Sequence, residues 1–512
     1  MSRLWKCAAL FACAALCLSA CGCAFAPQTE SSSPDTTATA ATTTAKPVTT
    51  TTVSPTKTAA TAVPALGWDK SDSLSPYAAK TRVNRALAPL LYEGLTRVNG
   101  DYSASLCLAE KIVKKDKTHL TVTLKKGLKF SEKSALKAAD VVNSFRLAAG
   151  SETYADLVAD VASVKATDDR TLTVTLARAV PFYEVALSFP VVKTVKSRTV
   201  GTGAYRLNTK KTALEQNPYS ETAAQIETFE LQNVSRREEM QFALETGTIC
   251  AYFDDLATGT VPRAVTDVTL TPVTVPYLVY LGFNANRAPW SSASIRRSVC
   301  DAVSRTDVTA VGFSGYAVPT ATPFCPAYAA VKDVAGARLS QNVAAAVATW
   351  KKNGYNVTEN GKVKNRLSAE LICVKSNAMH KAAANEIAEE LKTAGMQVSV
   401  KALSESDYKS RLASGNYDWY LGEVRLPNTL SLDAVLTGAG GASYGVSAGG
   451  KTLWAQYKNG ELTAAKFTEA FQKEAPFLPL CYGQGVLLSS KRLTEVGKGV
   501  GGFDGAEQWI FT

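Results

Sequence analysis

Apolar and polar residues alternate through 120–124, Leu-Thr-Val-Thr-Leu, and this period of two predicts a half-buried strand. The run 161–176, which ends Thr-Leu-Thr-Val-Thr-Leu, is predicted to form a hairpin turning at Asp168-Asp169. Gly127 suits a turn with positive φ. Val141, Val142 and Phe145 fall on one face of a short helix. Residues 83–91 read as an apolar helix, 182–192 as an apolar return, and 200–207 as a glycine-rich bend entering a strand. Ser235-Arg-Arg-Glu238 has capping-box spacing, which predicts a helix through Met240 and Leu244 with Gly247 as its stop.

From residue 275 the pattern changes. A strand is predicted at 277–284, a helix at 294–305, a proline-rich loop at 319–326, and a helix from Asn342 to Gly354. Then strand and helix alternate: 367–374, 378–394 closed by Gly395, 397–403, 406–413 and 417–424. That β-α-β-α-β order predicts a parallel α/β lobe. A helix around Phe467 and Phe471 leads to a last strand at 476–482. A chain of 512 residues is too long for one hydrophobic core, so two or three lobes are expected.

The N-terminal end differs in composition. Arg3 and Lys6 precede an apolar run at 8–18 that is too short to span a bilayer comfortably, as in a leader occupying 1–20. Leu18-Ser-Ala-Cys21 resembles a bacterial lipobox, which implies cleavage before Cys21 and a diacylglycerol on its thiol. A cut before Cys23 would place Ala20 at the leucine position and ranks lower; an ordinary cleaved signal peptide is the alternative. Residues 26–63 are rich in Thr, Ala, Ser and Pro, with no aromatic between Phe25 and Trp68. Such a segment cannot bury enough apolar surface to fold and reads as a tether, with ends roughly 35 Å apart on average.

The remainder is ordinary globular sequence: over the whole chain 46% of residues are hydrophobic and 20% charged. The net charge is +11, but Lys and Arg are dispersed, so the surface reads as solvated rather than as a nucleic-acid face. Five of the 11 cysteines crowd the N-terminus, while Cys107, Cys250, Cys300, Cys325, Cys373 and Cys481 are isolated. None sits in a C-x-x-C or a Cys/His cluster, so no metal site is expected. They read as single thiols, with one or two disulfides left open for an exported chain. The only histidines, His119 and His380, are far apart in sequence and read as surface or core side chains rather than a triad or metal pair.

Two short motifs lack their context. The run 445–452 fits G-x-x-x-x-G-K-T, but a loop precedes it where a phosphate-cradling P-loop needs a strand. Gly441-Ala-Ser443-Tyr-Gly445 fits the hydrolase elbow, which needs a later histidine, and both histidines come earlier. No enzyme, cofactor or metal is expected.

A set of landmarks runs in order between about residues 66 and 492. They are Leu91-Tyr-Glu-Gly-Leu95, the 136–145 run Leu-Lys-Ala-Ala-Asp-Val-Val-Asn-Ser-Phe, Val200-Gly-Thr-Gly-Ala-Tyr205, Gly282-Phe-Asn284, Arg296-Arg297, Arg305, Tyr417-Asp418 and Pro476-Phe-Leu-Pro-Leu480. Together they resemble family 5 of the extracytoplasmic solute-binding proteins, the oligopeptide-, dipeptide- and nickel-binding lipoproteins of ABC importers. The resemblance implies a mixed α/β (α+β), periplasmic-binding-protein-like class II fold, with two lobes joined by a hinge. Lobe I would comprise 65–98, 200–272 and 478–512, its extra subdomain 99–199, and lobe II 273–477. It also implies a monomeric receptor without catalysis, held through Cys21 on the extracytoplasmic face of a bacterial membrane. Such a receptor captures a small solute, a short peptide on the leading reading, and passes it to a membrane permease driven by a cytoplasmic ATPase. A nickel chelate or another anionic solute, and a signalling or adhesion role, stay open as alternatives.

The chain departs from the family pattern in ways that mark a divergent member. Lys137 replaces a threonine helix cap, at a cost of about 1 kcal/mol. Glu132-Lys133 replaces an Asp-Gly turn, and Ser304 replaces an acid before Arg305. Where peptide binders carry Gly-Trp and then an aspartate for the peptide amino group, this chain reads Gly422-Glu-Val-Arg-Leu-Pro-Asn428. Glu423 stands in for that acid, and Arg425 favours an anionic ligand group. Arg425 and Glu423 lead the ligand-binding candidates, followed by Tyr444, Trp419, Asn284, Trp290, Tyr77 and Tyr482.

Overall fold

The computed structural model describes residues 63–512 apart from 257–258, 264, 336–338, 438–441 and 498–499. The expected leader, the lipid-bearing Cys21 and nearly all of the 21–64 tether lie outside the described residues.

Among the described residues an eleven-stranded sheet organises the rest. At its centre two long strands, Val268–Phe283 and Phe477–Ser490, pair antiparallel from Val268 opposite Ser490 to Gly282 opposite Phe477. Beside the 486–489 stretch of the second strand lies Ala251–Asp254, which leads on to Ala65–Trp68 and Thr228–Asn233. Beside the other end, Trp419–Arg425 pairs with 277–283 and leads on to Ser368–Val374 and Gln397–Leu403. The two long strands therefore cross side by side from one half of the sheet to the other. The ladder is irregular between Thr274 and Tyr277, opposite Gly483 and Gln484. Pro276 has no N–H to give, and a proline within a sheet is confined to edges and to such bulges, which bend and twist the strand.

The predicted parallel lobe is present. Ser368–Val374 pairs parallel with both Gln397–Leu403 and Trp419–Arg425, and the helices Ala378–Thr393 and Glu405–Ser414 make the crossovers. Asn377 and Ser404 cap those helices through their side chains, and Gly395 and Gly415 follow them at positive φ. The helix layer packs on one face of the strands, where Val279, Leu281, Phe283, Trp419 and Leu421 meet Ile295, Val299, Trp350 and Ile387. Fully burying each such side chain contributes about 1.5–3 kcal/mol.

The alternating runs build a second sheet in the order Ala109–Lys114, His119–Leu124, Thr171–Leu176, Val161–Ala166. The predicted turn forms as Asp168 Oδ1 accepts both the Arg170 and Thr171 amides at 2.8 Å. The helix Ala138–Ala149 begins at Lys137, which offers no side-chain cap; Asp140 accepts the Lys137 amide at 2.8 Å and supplies half of a capping box. Lys133 takes φ 82°, the left-handed value that a turn glycine adopts without strain.

Three predicted elements differ. The 83–91 helix divides into Arg82–Ala86 and Ala88–Leu91, because Pro89 lacks the N–H and crowds the preceding turn. The 294–305 helix ends early, as Ala293–Ala302, and an unpredicted helix, Arg305–Phe313, follows it, with Ser304 as a cap that accepts the Asp307 amide at 3.3 Å. The capping box at Ser235 does not form: the helix Arg237–Glu245 starts from Arg236, whose guanidinium is taken by Glu239, so Ser235 falls outside it. The cysteines left open for pairing are free thiols among the described residues, all buried except half-buried Cys107.

Glu390, on the Ala378–Thr393 helix, is half-buried; one carboxylate oxygen accepts the Ser304 amide at 2.8 Å and the other is buried without a hydrogen-bond partner. Burial pushes its pKa up to about 7, aided by Glu386 and Asp307, while the Ser304 amide and Arg305 pull it down. A carboxyl raised on folding stabilises the fold at low pH, and that contribution is lost as pH rises from the unfolded value through about 7. Glu390→Gln should therefore raise the melting temperature by a few degrees at pH 8 and leave it unchanged at pH 5, read by calorimetry across that range.

Candidate ligand-binding site

The site candidates are set by the strand Trp419–Arg425. Its period of two places Trp419, Leu421, Glu423 and Arg425 on one face. Trp419 and Leu421 lie under the helix layer, while Glu423 and Arg425 run past it and are exposed. Arg425 lies directly across from Tyr277, just beyond the ladder irregularity, and its guanidinium sits 5.7 Å above the Tyr277 ring. It makes no ion pair among the described residues. Tyr277 Oη donates to Asp255 Oδ2 at 3.4 Å, and Asp255 Oδ1 pairs with Arg82 Nη1 at 3.1 Å. Burial, then the Asp255 charge, pushes the Tyr277 phenol up to about 12, so it stays a neutral donor.

Glu423 meets His380, with Oε2 3.0 Å from Nε2. His380 is buried near the start of the Ala378–Thr393 helix, where the Asn377 side chain accepts its amide and Phe313 lies edge-on at 6.4 Å. Further aromatics come from the loop after Ala65–Trp68 and from the segment after the Ala138–Ala149 helix. Tyr77 packs edge-on against Tyr154 at 5.3 Å and donates to the Pro190 carbonyl. Burial raises the Tyr154 phenol to about 12, and the Arg425 charge acts against that rise. Burial likewise holds the Tyr102 phenol well above its usual value, again opposed by Arg425. Arg425, Tyr77, Tyr102, Tyr154 and Tyr277 thus share one electrostatic neighbourhood.

The other candidates are placed elsewhere. Trp419 and Trp290 stack edge-on at 4.7 Å inside the helix-layer core. Asn284 is buried and donates to the Gly415 and Tyr417 carbonyls at 3.1 Å each, which ties a turn together. Tyr482 is fully buried and donates to Pro323 O at 2.8 Å. These four serve the protein interior, since strand periodicity gives the two faces but not which residues lie under a helix. Tyr444 is half-buried, 6.1 Å from the Tyr420 ring. Sequence reasoning missed Tyr277, Asp255, Arg82 and His380; of these only Tyr277 carried a signal, as the residue opening a predicted strand.

His119 is exposed and pairs with Asp116 at 2.9 Å. In the P-loop-like run, Ser447 caps a helix, Ala448–Lys458, whose Gly449 and Gly450 pack closely on Glu474 and Pro476. No strand precedes it at 442–447. Gly441 of the elbow-like run lies outside the described residues.

This architecture is the periplasmic-binding-protein class II fold. It superposes on a periplasmic murein tripeptide binding protein in its unliganded open form, with TM-score 0.71, 17% identity, and coverage of 88% of this chain and 97% of that one. Residues 104–441 match the family described as "Bacterial extracellular solute-binding proteins, family 5 Middle", and the chain belongs to that family. It is 37% identical to a dipeptide-binding protein of Lactococcus lactis over 127 residues, 21% of this chain and 23% of the relative. It is 24% identical to a glutathione-binding protein of Salmonella choleraesuis over 292 residues, 52% of this chain and 56% of the relative. The chain thus spans little more than half the length, at most, of these two curated relatives.

Proposed function

We propose that this chain is the lipid-anchored receptor of an ABC importer and captures a small solute with an anionic end, a short peptide first among them. The carrying observation is Arg425: an exposed guanidinium without an ion pair among the described residues, lying over Tyr277 beside the point where the two long strands cross. A guanidinium fork suits a carboxylate. Glu423 offers an acid of the opposite sign two residues away, so a zwitterion is accommodated along one strand edge. Residues 65–98, 200–272 and 478–512, with the subdomain 99–199, form one lobe in this reading, and 273–477 form the other. Closure about the paired crossings encloses the solute, and binding favours the closed state. A permease and its cytoplasmic ATPase then take the solute, while Cys21 and the tether hold the receptor at the membrane.

A thermal-shift screen with di- to pentapeptides tests this, each peptide supplied with a free or an amidated C-terminus. Free-carboxylate peptides should stabilise the chain, and Arg425→Ala should weaken them by more than about tenfold, or about 1.4 kcal/mol. Equal affinity of wild type and variant would remove Arg425 from the site. Stabilisation by a nickel chelate and by no peptide would favour the other branch of the family.

A further inference from the structure

A cavity of about 190 Å³ lies on the Ala65–Trp68 side of the sheet, and it shares no residue with the Arg82–Asp255–Tyr277–Arg425 group. It is enclosed by the loop after Trp68, the end of the Ala88–Leu91 helix, the hairpin Lys193–Val195 and Arg198–Val200, and the strand Tyr205–Leu207. Four cations line it, Lys70, Arg198, Arg206 and Lys211, against one acid, Asp72.

That acid forms no ion pair with any of them among the described residues. Asp72 Oδ2 accepts the Lys80 and Thr81 amides and the Thr81 hydroxyl at 2.7–2.9 Å, and Oδ1 accepts the Ser73 amide at 2.8 Å. Arg198 gives one N–H to the Leu207 carbonyl at 3.0 Å, which fixes its guanidinium and leaves the other donors. Arg206 is only loosely held by Glu215, at 3.7 Å. Neither Lys70 nor Lys211 forms an ion pair among the described residues.

The backbone that presents these groups is held in a sparsely populated form. Val195 pairs with Arg198 across a two-residue turn in which Lys196 and Ser197 both take positive φ, 47° and 64°. That is the twist-matched hairpin turn, normally made with Asn-Gly. Lys211 is left-handed too, at φ 57°. Non-glycine residues kept in such conformations cost stability, and they cluster at ligand clamps.

We infer that this cavity is a second binding site, for a small phosphate ester. Arg198 and Arg206 present forks that match phosphate oxygens, Lys70 and Lys211 add point charges, and Ser197 adds a hydroxyl. The walls at Trp68 and Tyr92 receive a compact organic group. Free phosphorylated solutes and phospholipid headgroups share this chemistry.

Calorimetric titration of the full chain tests it with three probes: inorganic phosphate, glycerol 3-phosphate, and dihexanoyl phosphatidylglycerol below its micellar concentration. Saturable, salt-sensitive binding of an ester is expected, tighter than that of inorganic phosphate. Preference for glycerol 3-phosphate marks a free solute, and preference for the lipid marks a headgroup. Arg198→Ala/Lys211→Ala should weaken the ester at least tenfold, while Arg425→Ala should leave it unchanged. Lys211→Ala alone, at an exposed position, should give an intermediate loss if the double variant folds poorly. No saturable binding by any probe, or equal binding by wild type and Lys211→Ala, overturns the site. These results do not depend on which solute occupies the Arg425 site.

Discussion

Lys458→Met is expected to destabilise the fold by about 3–5 kcal/mol, because it removes the cation shared by two carboxylates out of solvent. Lys458 Nζ lies 2.6 Å from Asp433 Oδ2 and 3.2 Å from Asp160 Oδ2, and the lysine and Asp160 side chains are each only 5% exposed. Arg178 Nε reaches the other Asp160 oxygen at 2.9 Å from a more exposed position. Burial raises the Asp433 pKa, but the bonds from Lys458 and Trp454 outweigh it and hold the carboxyl low. Without Lys458 that balance reverses at Asp433, which gains a reason to take up a proton. The Asp433 carboxyl then titrates higher in the folded variant, so the deficit should be larger when measured at pH 8 than in acid at pH 4. Urea denaturation at the two pH values reads this directly. Adding Asp160→Asn should recover part of the loss, and simple additivity of the two losses would count against the shared-cation account. In the proposed division Asp160 belongs to the 99–199 subdomain and Lys458 to lobe II. On the proposed function, loosening this bridge should also favour the open state and weaken solute capture.

The second large effect is expected at Arg296, which is 1% exposed. Its guanidinium donates to the Ala475, Trp290 and Glu474 carbonyls at 2.8 Å and to the Ser291 carbonyl at 3.1 Å, and pairs with Glu474 Oε1 at 2.8 Å. Those contacts tie the end of the Ala464–Glu474 helix, where Ala475 turns left-handed at φ 47°, to the segment before the Ala293–Ala302 helix. Arg296→Met preserves much of the volume and strands four carbonyls, each costing about 1–3 kcal/mol when left unpaired. The loss should reach about 4 kcal/mol or more and lower the urea midpoint accordingly. Arg296→Lys should rescue little, since a lysine ammonium has three donors at one point rather than a planar fork. A lysine variant as stable as wild type would show that the fork is not what holds this corner.

Period-two alternation made the 120–124 and 171–176 strands legible, and the strand–helix spacing after 367 made the parallel lobe legible, because these patterns are local. The 83–91 element split at Pro89, and the 294–305 element ended early before the helix that Ser304 caps, because breaker and cap chemistry overrode apolar periodicity. The candidate site was legible at Glu423 and Arg425 through their place in the 422–428 run, which departs from the family pattern. It was not legible at Trp419, whose face is shared with both of them. Only the packed helices distinguish the buried end of that face from its rim. Asp255, Arg82 and His380 reach the same region from more than forty residues away in sequence, so no spacing rule brings them together. Arg296 was visible as a landmark, but its five-bond cage depends on a carbonyl corner 178–179 residues distant.

The long sheet also has two ends, and each is dressed against growth. The terminal strands among the described residues are Tyr205–Leu207 and Gln397–Leu403. The first is three residues long and carries Arg206; the second is mostly exposed and carries Lys401 in its middle. A short or charged rim is a poor template for a strand from a neighbouring molecule. Eleven strands can thus lie in one layer without copies of the chain adding to one another's edges.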